Sequence, residues 1–238
     1  NATKIHVENC VFSWNTAKNG ASMYIKSNSP INDDQNIEIK SCTFEENEAE
    51  VDGGDVYYEF NSKKSTFYSL SKKLFDEEKF SFKIIDCTMK RCASAQNGAS
   101  LSLNLGSEKT EKIVVKNCSF SDCFSLHYGG SIYIESDNYS TLFEINECVF
   151  DSCKAVSGSS IYFVCCNCHI KSCKFINNKA SDDSTSVIYY NNNNYGYTSY
   201  DGSVIVDECK FEQTEEICSL FGYISREESV VNFTNNDV

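Results

Sequence analysis

The chain has one proline, Pro30, one tryptophan, Trp14, and two arginines, Arg91 and Arg226, in 238 residues. So few guanidinium forks leave little equipment for clamping phosphate or carboxylate groups in pairs. Positive charge is also scarce, with 21 lysines and arginines against 34 acidic residues and a net charge of -13. An anionic partner such as nucleic acid is repelled at long range, which removes that class of function. No uninterrupted apolar run approaches the roughly 20 residues of a membrane-spanning helix. The longest candidate, IYFVCC at 161–166, is strand-sized and ends at Asn167. The chain starts at Asn1 with neither an initiator Met nor a basic and apolar leader, as expected of a mature product or an excerpt from a longer protein.

Cysteine, by contrast, is abundant. Fourteen cysteines suit either an oxidising compartment or buried thiols, and an even count permits full pairing without requiring it. Acceptor triplets at Asn1, Asn117, Asn138 and Asn232 fit a secretory route and mark candidate N-glycosylation sites.

Self-similarity organises the sequence. IHVENCVFSWN from Ile5, IEIKSCTFEEN from Ile37, FKIIDCTMKRC from Phe82, IVVKNCSFSDC from Ile113, FEINECVFDSC from Phe143, CHIKSCKFINN from Cys168 and VIVDECKFEQT from Val204 share one frame. Their anchor cysteines are Cys10, Cys42, Cys87, Cys118, Cys148, Cys173 and Cys209, spaced by 25 to 45 residues. A fixed element joined by loops of variable length is implied. Within it, apolar residues alternate, pause for two polar positions and alternate again, as strand, turn and strand require. A second element follows: GASMYI from Gly20, GGDVYY from Gly53, GASLSL from Gly98, GGSIYI from Gly129 and GSSIYF from Gly158, degrading to TSVIYY and SLFGYI. It reads as a tight bend feeding a third strand.

These spacings predict an all-β fold, a right-handed parallel β-helix with about seven coils of three short strands. It forms one domain over 1–238, with surface-loop insertions at 58–82, containing a short amphipathic helix, and at 189–200. Equivalent residues then stack about 4.8 Å apart. The expected core ladder is the seven anchor cysteines beside Phe12, Phe44, Phe120, Phe150, Phe175 and Phe211, with Met89 in the third rung. Five residues after each anchor stand Asn15, Asn47, Cys92, Cys123, Cys153, Asn178 and Thr214, a polar or thiol ladder at a bend. An inward Asn there can cap corner backbone groups. Cys92, Cys123 and Cys153 form a candidate disulfide ladder, because their separation allows bridging, while the strand-centre thiols are expected free. Two positions beyond that ladder, Ala17, Ala49, Ser94, Ser125, Ala155 and Ala180 make a small-residue column that Glu216 breaks in the last repeat, and VVNF near Val230 reads as a fading rung.

The alternation of FxxN elements (FSWN, FEEN, FINN) with GGx[IV] elements (GGDV, GGSI) resembles the repeats of the polymorphic outer membrane proteins and their relatives in unicellular eukaryotes, within the pectin lyase-like group. The resemblance covers nearly the whole chain. It implies surface exposure, adhesion or coat formation, generally without catalysis. The motif Asn is Cys in several repeats, and two repeats keep a full Gly-Gly pair.

Constellations for chemistry are thin. The aspartate pairs Asp33–Asp34 and Asp182–Asp183 and the histidines His6, His127 and His169 match no sugar-cleaving motif. CCNCHIKSC at 165–173 offers Cys165, Cys166, Cys168, His169 and Cys173 as zinc ligands, but the repeat frame points Cys168 and Cys173 inward and His169 outward, against tetrahedral convergence. No cofactor is expected; calcium at Glu45, Glu46 and Glu48 is the other cation weighed. Tyr24, Tyr57, Tyr133 and Tyr162 share an outward third-strand position and, with Tyr189, Tyr190, Tyr195 and Tyr197, make a candidate contact surface. The resulting expectation is a non-catalytic extracellular or cell-surface protein with a structural or adhesive role, partnered by itself or by a surface protein or glycan. The alternative is a polysaccharide-active lyase or hydrolase, since the fold hosts both.

Overall fold

The computed structural model describes residues 3–27, 35–60, 80–105, 112–136, 142–164, 166–181, 186–192, 202–212, 219–225 and 230–237. Its strands form four parallel sheets in which each strand pairs with its counterparts one repeat before and one repeat after. The first sheet has eight strands, from Thr3–Glu8 to Val230–Thr234, and the second has seven three-residue strands that follow the anchor cysteines. The third has six two-residue strands, from Thr16–Ala17 to Lys179–Ala180, and the fourth seven, from Met23–Ser27 to Ser219–Ser225. The protein is a parallel β-helix. Among the described residues no helix is long and apolar enough to cross a membrane.

Each of the first six rungs uses four strands where the sequence predicts three. The additional one is the two-residue ladder containing Ala17, Ala49 and Ser94, too short to impose an alternating pattern on the sequence. The insertions are also narrower than predicted. Residues 58–60 belong to the strand Val56–Phe60, residues 80–82 to Phe80–Ile85, and residues 189–192 to Ser186–Asn192. Backbone pairing with the rungs on both sides holds these segments in the ladder. Residues 61–79, including the expected helix, and 193–200 with Tyr195 and Tyr197 lie outside the described residues, as do Asn1, Asn138, both aspartate pairs, Cys165, Thr214 and Glu216.

Two corners per rung are left-handed. The residue before each anchor cysteine has positive φ, as in Asn9 (55°), Asp86 (55°) and Asn117 (51°), and so does the residue before the second corner, as in Trp14 (59°) and Asn177 (48°). Asn and Asp tolerate this conformation because their short polar side chains bond locally. The turn keeps the backbone in register: the Asn9 amide reaches Lys40 O at 3.1 Å and the Trp14 amide reaches Glu45 O at 3.1 Å. The bend into the fourth sheet needs glycine. Gly129 has φ +65°, and a Cβ there would sit 2.2 Å from Ile132 O.

Register puts Phe12 over Phe44, Phe44 over Met89, and Phe120, Phe150, Phe175 and Phe211 in one line. Phe120 and Phe150 stack with centroids 4.8 Å apart and planes 2° apart, and Phe150 and Phe175 at 5.0 Å and 5°. Each such buried ring contributes roughly 1.5–3 kcal/mol by leaving water. The predicted core ladder is therefore present, although Cys10 and Phe12 in the first rung are only half-buried.

Candidate functional site

The chemistry-bearing side chains fall into columns. At the first corner, Cys42 Sγ lies 3.1 Å from Lys40 O and 3.7 Å from Val7 O of the preceding rung, and Cys87, Cys118, Cys148, Cys173 and Cys209 repeat the arrangement. The thiol sulfur also accepts: the Cys148 amide donates to Cys173 Sγ at 3.4 Å and the Cys173 amide to Cys209 Sγ at 3.4 Å. On the eighth rung Asn236 takes over this position. Its Oδ1 accepts the Cys209 amide at 2.8 Å and its Nδ2 donates to Val206 O at 3.0 Å.

The second corner repeats the scheme with both residue types in one column. Asn47 Oδ1 accepts the Asn15 amide at 3.0 Å and Asn178 Oδ1 accepts the Cys153 amide at 2.9 Å. Cys92, Cys123 and Cys153 lie between, each with its sulfur 3.7 or 3.8 Å from a carbonyl of the preceding rung. All three are free thiols, which overturns the disulfide ladder expected there. In-register parallel strands set their Cβ vectors side by side, a poor geometry for bridging. The anchor thiols are free as well. Burial pushes the Cys148, Cys153, Cys168 and Cys173 thiols above the ordinary range, away from the reactive thiolate.

Serines of the bend element extend this polar seam inward. Ser100 Oγ meets Cys123 Sγ at 3.2 Å, and Ser131 Oγ donates to Cys153 Sγ at 2.9 Å. Asp55 occupies the same position in the second rung and is fully buried. Asn47 Nδ2 donates to its Oδ1 at 2.9 Å, while Oδ2 is buried without a hydrogen-bond partner. Burial pushes this carboxyl well above the usual carboxylate range. Sequence reasoning passed over Asp55; the available signal was an Asp in GGDV where the other bends have Ser22, Ser100, Ser131 and Ser160.

The zinc ligands considered do not converge. Cys166, Cys168 and Cys173 are buried while His169 sits on the outer face of its strand, and among the described residues no group of three or more His, Cys, Asp or Glu could hold a metal. The cation beside Glu45 and Glu46 is Arg91, whose Nη2 lies 2.6 Å from Glu45 Oε1 and whose Nε donates to Glu46 Oε1 at 2.7 Å. Glu48 lies around the corner in the third sheet.

The outward tyrosines form two stacks on the fourth sheet. Tyr24 packs on Tyr57 at 5.4 Å; Tyr133, Tyr162 and Tyr189 follow at 5.8 and 5.1 Å, with Tyr128 on Tyr162 at 4.5 Å. Burial with nearby carboxylates raises the Tyr57 hydroxyl to about 12, and burial first of all does the same for Tyr162. Most ring faces are thus turned to one another, leaving edges and hydroxyls outward. Tyr190 is no part of a contact surface: it points into the core, fully buried, against Phe163 at 5.5 Å. Strand alternation places it opposite Tyr189. Of the sequons, Asn117 is exposed at a corner with Nδ2 donating to Asp86 Oδ1 at 2.7 Å, and Asn232 is exposed in the last strand of the first sheet.

No protein-family model, curated protein or solved structure matches the chain.

Proposed function

We propose that this chain is a non-catalytic scaffold of a secreted or cell-surface protein, with a structural or adhesive role as a coat, appendage or filament component. One observation carries the reading: the columns engage the neighbouring rung rather than converging on a point. Thiols and amides bond to the next corner, and rings stack on rings. Outer charges pair across rungs, as in Lys112 with Glu144 at 2.8 Å and Lys174 with Glu212 at 2.9 Å. Such a rod presents repeated outer faces along its length, which suits a spacer, a coat or a surface for many weak contacts. Buried thiols are shielded from oxidants, so unpaired cysteines are compatible with an exterior setting. Exposed Asn117 and Asn232 leave room for glycans, and the polymorphic outer membrane protein resemblance points the same way.

Electron microscopy of the native material tests the proposal, with rods joined into filaments or a surface layer as the expected result. Dispersed particles that release reducing ends from an acidic polysaccharide would overturn it in favour of a lyase or hydrolase.

A further inference from the structure

Among the described residues, large apolar side chains exposed to solvent occur mainly in the terminal rungs, where the stack ends. In the central rungs, among the described residues, they are Phe124 (44 % exposed), Leu126 (50 %) and Tyr128 (40 %), all on one rung. Tyr128 belongs to the tyrosine stack through Tyr162. Phe124 stands on the outer face of the third sheet and Leu126 in the bend just after that strand, where nothing in the fold calls for a large apolar residue.

Their neighbours are ordered by charge. The outward column through Phe124 reads Glu48, Ala93, Phe124, Lys154, Lys179 along successive rungs. Two residues further on, Glu50, Ala95 and Leu126 follow one another on successive rungs. An apolar ridge with a shelf of small side chains thus has acids two rungs to one side and lysines on the other. Glu48, Glu50 and Lys154 make no ion pair within the described residues, as is also true of Lys83 and Lys90, whereas Lys40, Lys112, Lys116 and Lys174 pair with acids of neighbouring positions.

We propose that this face is a self-association surface, on which a second copy of the chain docks antiparallel about a two-fold axis through the Phe124 rung. The proposal deepens the scaffold reading and rests on it. A two-fold axis lying in the interface and along the strands keeps each column and reverses the rung order. Phe124 then meets Phe124 of the second copy, Leu126 meets Leu126, and Glu48 meets Lys179. An axis along the solenoid would instead oppose Glu48 to Glu50, and like charges in apposition exclude that arrangement. Charge order therefore selects both the occupant and its direction. Strands two residues wide make a small interface, below the roughly 1,200 Å² of tight complexes, so the contact is a weak one that multiplies along an array.

Sedimentation velocity of the full chain over a rising concentration series tests this. The native protein is expected to move toward dimer. Phe124→Asp with Leu126→Asp is expected to stay monomeric, with unchanged circular dichroism because both side chains face outward. Glu48→Lys with Glu50→Lys should weaken association at least about tenfold, and adding Lys154→Glu with Lys179→Glu should restore it. A native protein monomeric throughout, or a charge exchange that fails to restore association, overturns the proposal. Association indifferent to all these variants also overturns it, by placing self-contact on another face while leaving the scaffold reading intact.

Discussion

The Cys153 amide donates to Asn178 Oδ1 across one rung at 2.9 Å, and the same Asn178 side chain returns a bond to Phe150 O at 2.9 Å. At the other corner, Cys173 Sγ accepts the Cys148 amide at 3.4 Å and approaches Ile145 O at 3.4 Å. A thiol and a carboxamide are therefore equivalent here, since each offers an acceptor and a donor to a corner that the sheet leaves unpaired. The replacement of the motif Asn by Cys in the middle rungs follows from this equivalence.

Asn178→Cys is expected to be nearly neutral, since three rungs of that column already hold cysteine. Asn178→Leu should cost about 1–3 kcal/mol, because it leaves a buried amide and a buried carbonyl without partners. Urea unfolding followed by circular dichroism distinguishes the two.

Asp55 sets a pH dependence of known sign. Burial raises its folded-state pKa, so its neutral form fits the core, and the favourable balance holds fully below the unfolded value of about 3.9. That contribution declines as pH rises through the folded value, because the unfolded chain releases its proton first. Asp55→Ser, which restores the residue type of the other bends, should raise stability at pH 7 by about 1 kcal/mol or more and flatten the rise toward acid. Melting temperatures at pH 5 and pH 8 check both, and a variant less stable than the parent at pH 8 refutes the account.

Phe150 lies between Phe120 and Phe175 in the stack. Phe150→Ala is expected to cost about 3–5 kcal/mol, because the flanking rungs are hydrogen-bonded in place and cannot close the cavity. Phe12→Ala, at the half-buried end, should cost clearly less. Equal losses in chemical denaturation would contradict the column.

Thiol reagents provide a fourth check. Among the cysteines of the described residues, Cys10, half-buried in the first rung, should react first in the folded protein, and the buried anchors only after unfolding. Mass spectrometry of the unreduced protein should find Cys92, Cys123 and Cys153 unbridged.

The rung frame was readable in the chain because stacking sets like over like: the anchor cysteines and phenylalanines recur at one offset, and a period of two cannot be satisfied by a helix. The second-corner ladder was visible for the same reason. Its bonding was not, since spacing alone allows both a bridge and a pair of free thiols, and the direction of the Cβ vectors decides between them. Nor was Asn236 recognised as the eighth member of the cysteine column, because its rung keeps the turn but has lost the cysteine. The same holds for the Phe124 ridge, whose neighbours Glu48, Ala93 and Lys154 are dozens of residues apart in the chain and adjacent only across rungs.

The amino-acid order by itself determined which residues face inward, because alternation and left-handed corners are local properties of the backbone. Tertiary structure alone decided what each inward group bonds to and which outward groups become neighbours. Loops of unequal length separate the rungs, and only their stacking brings equivalent positions within reach.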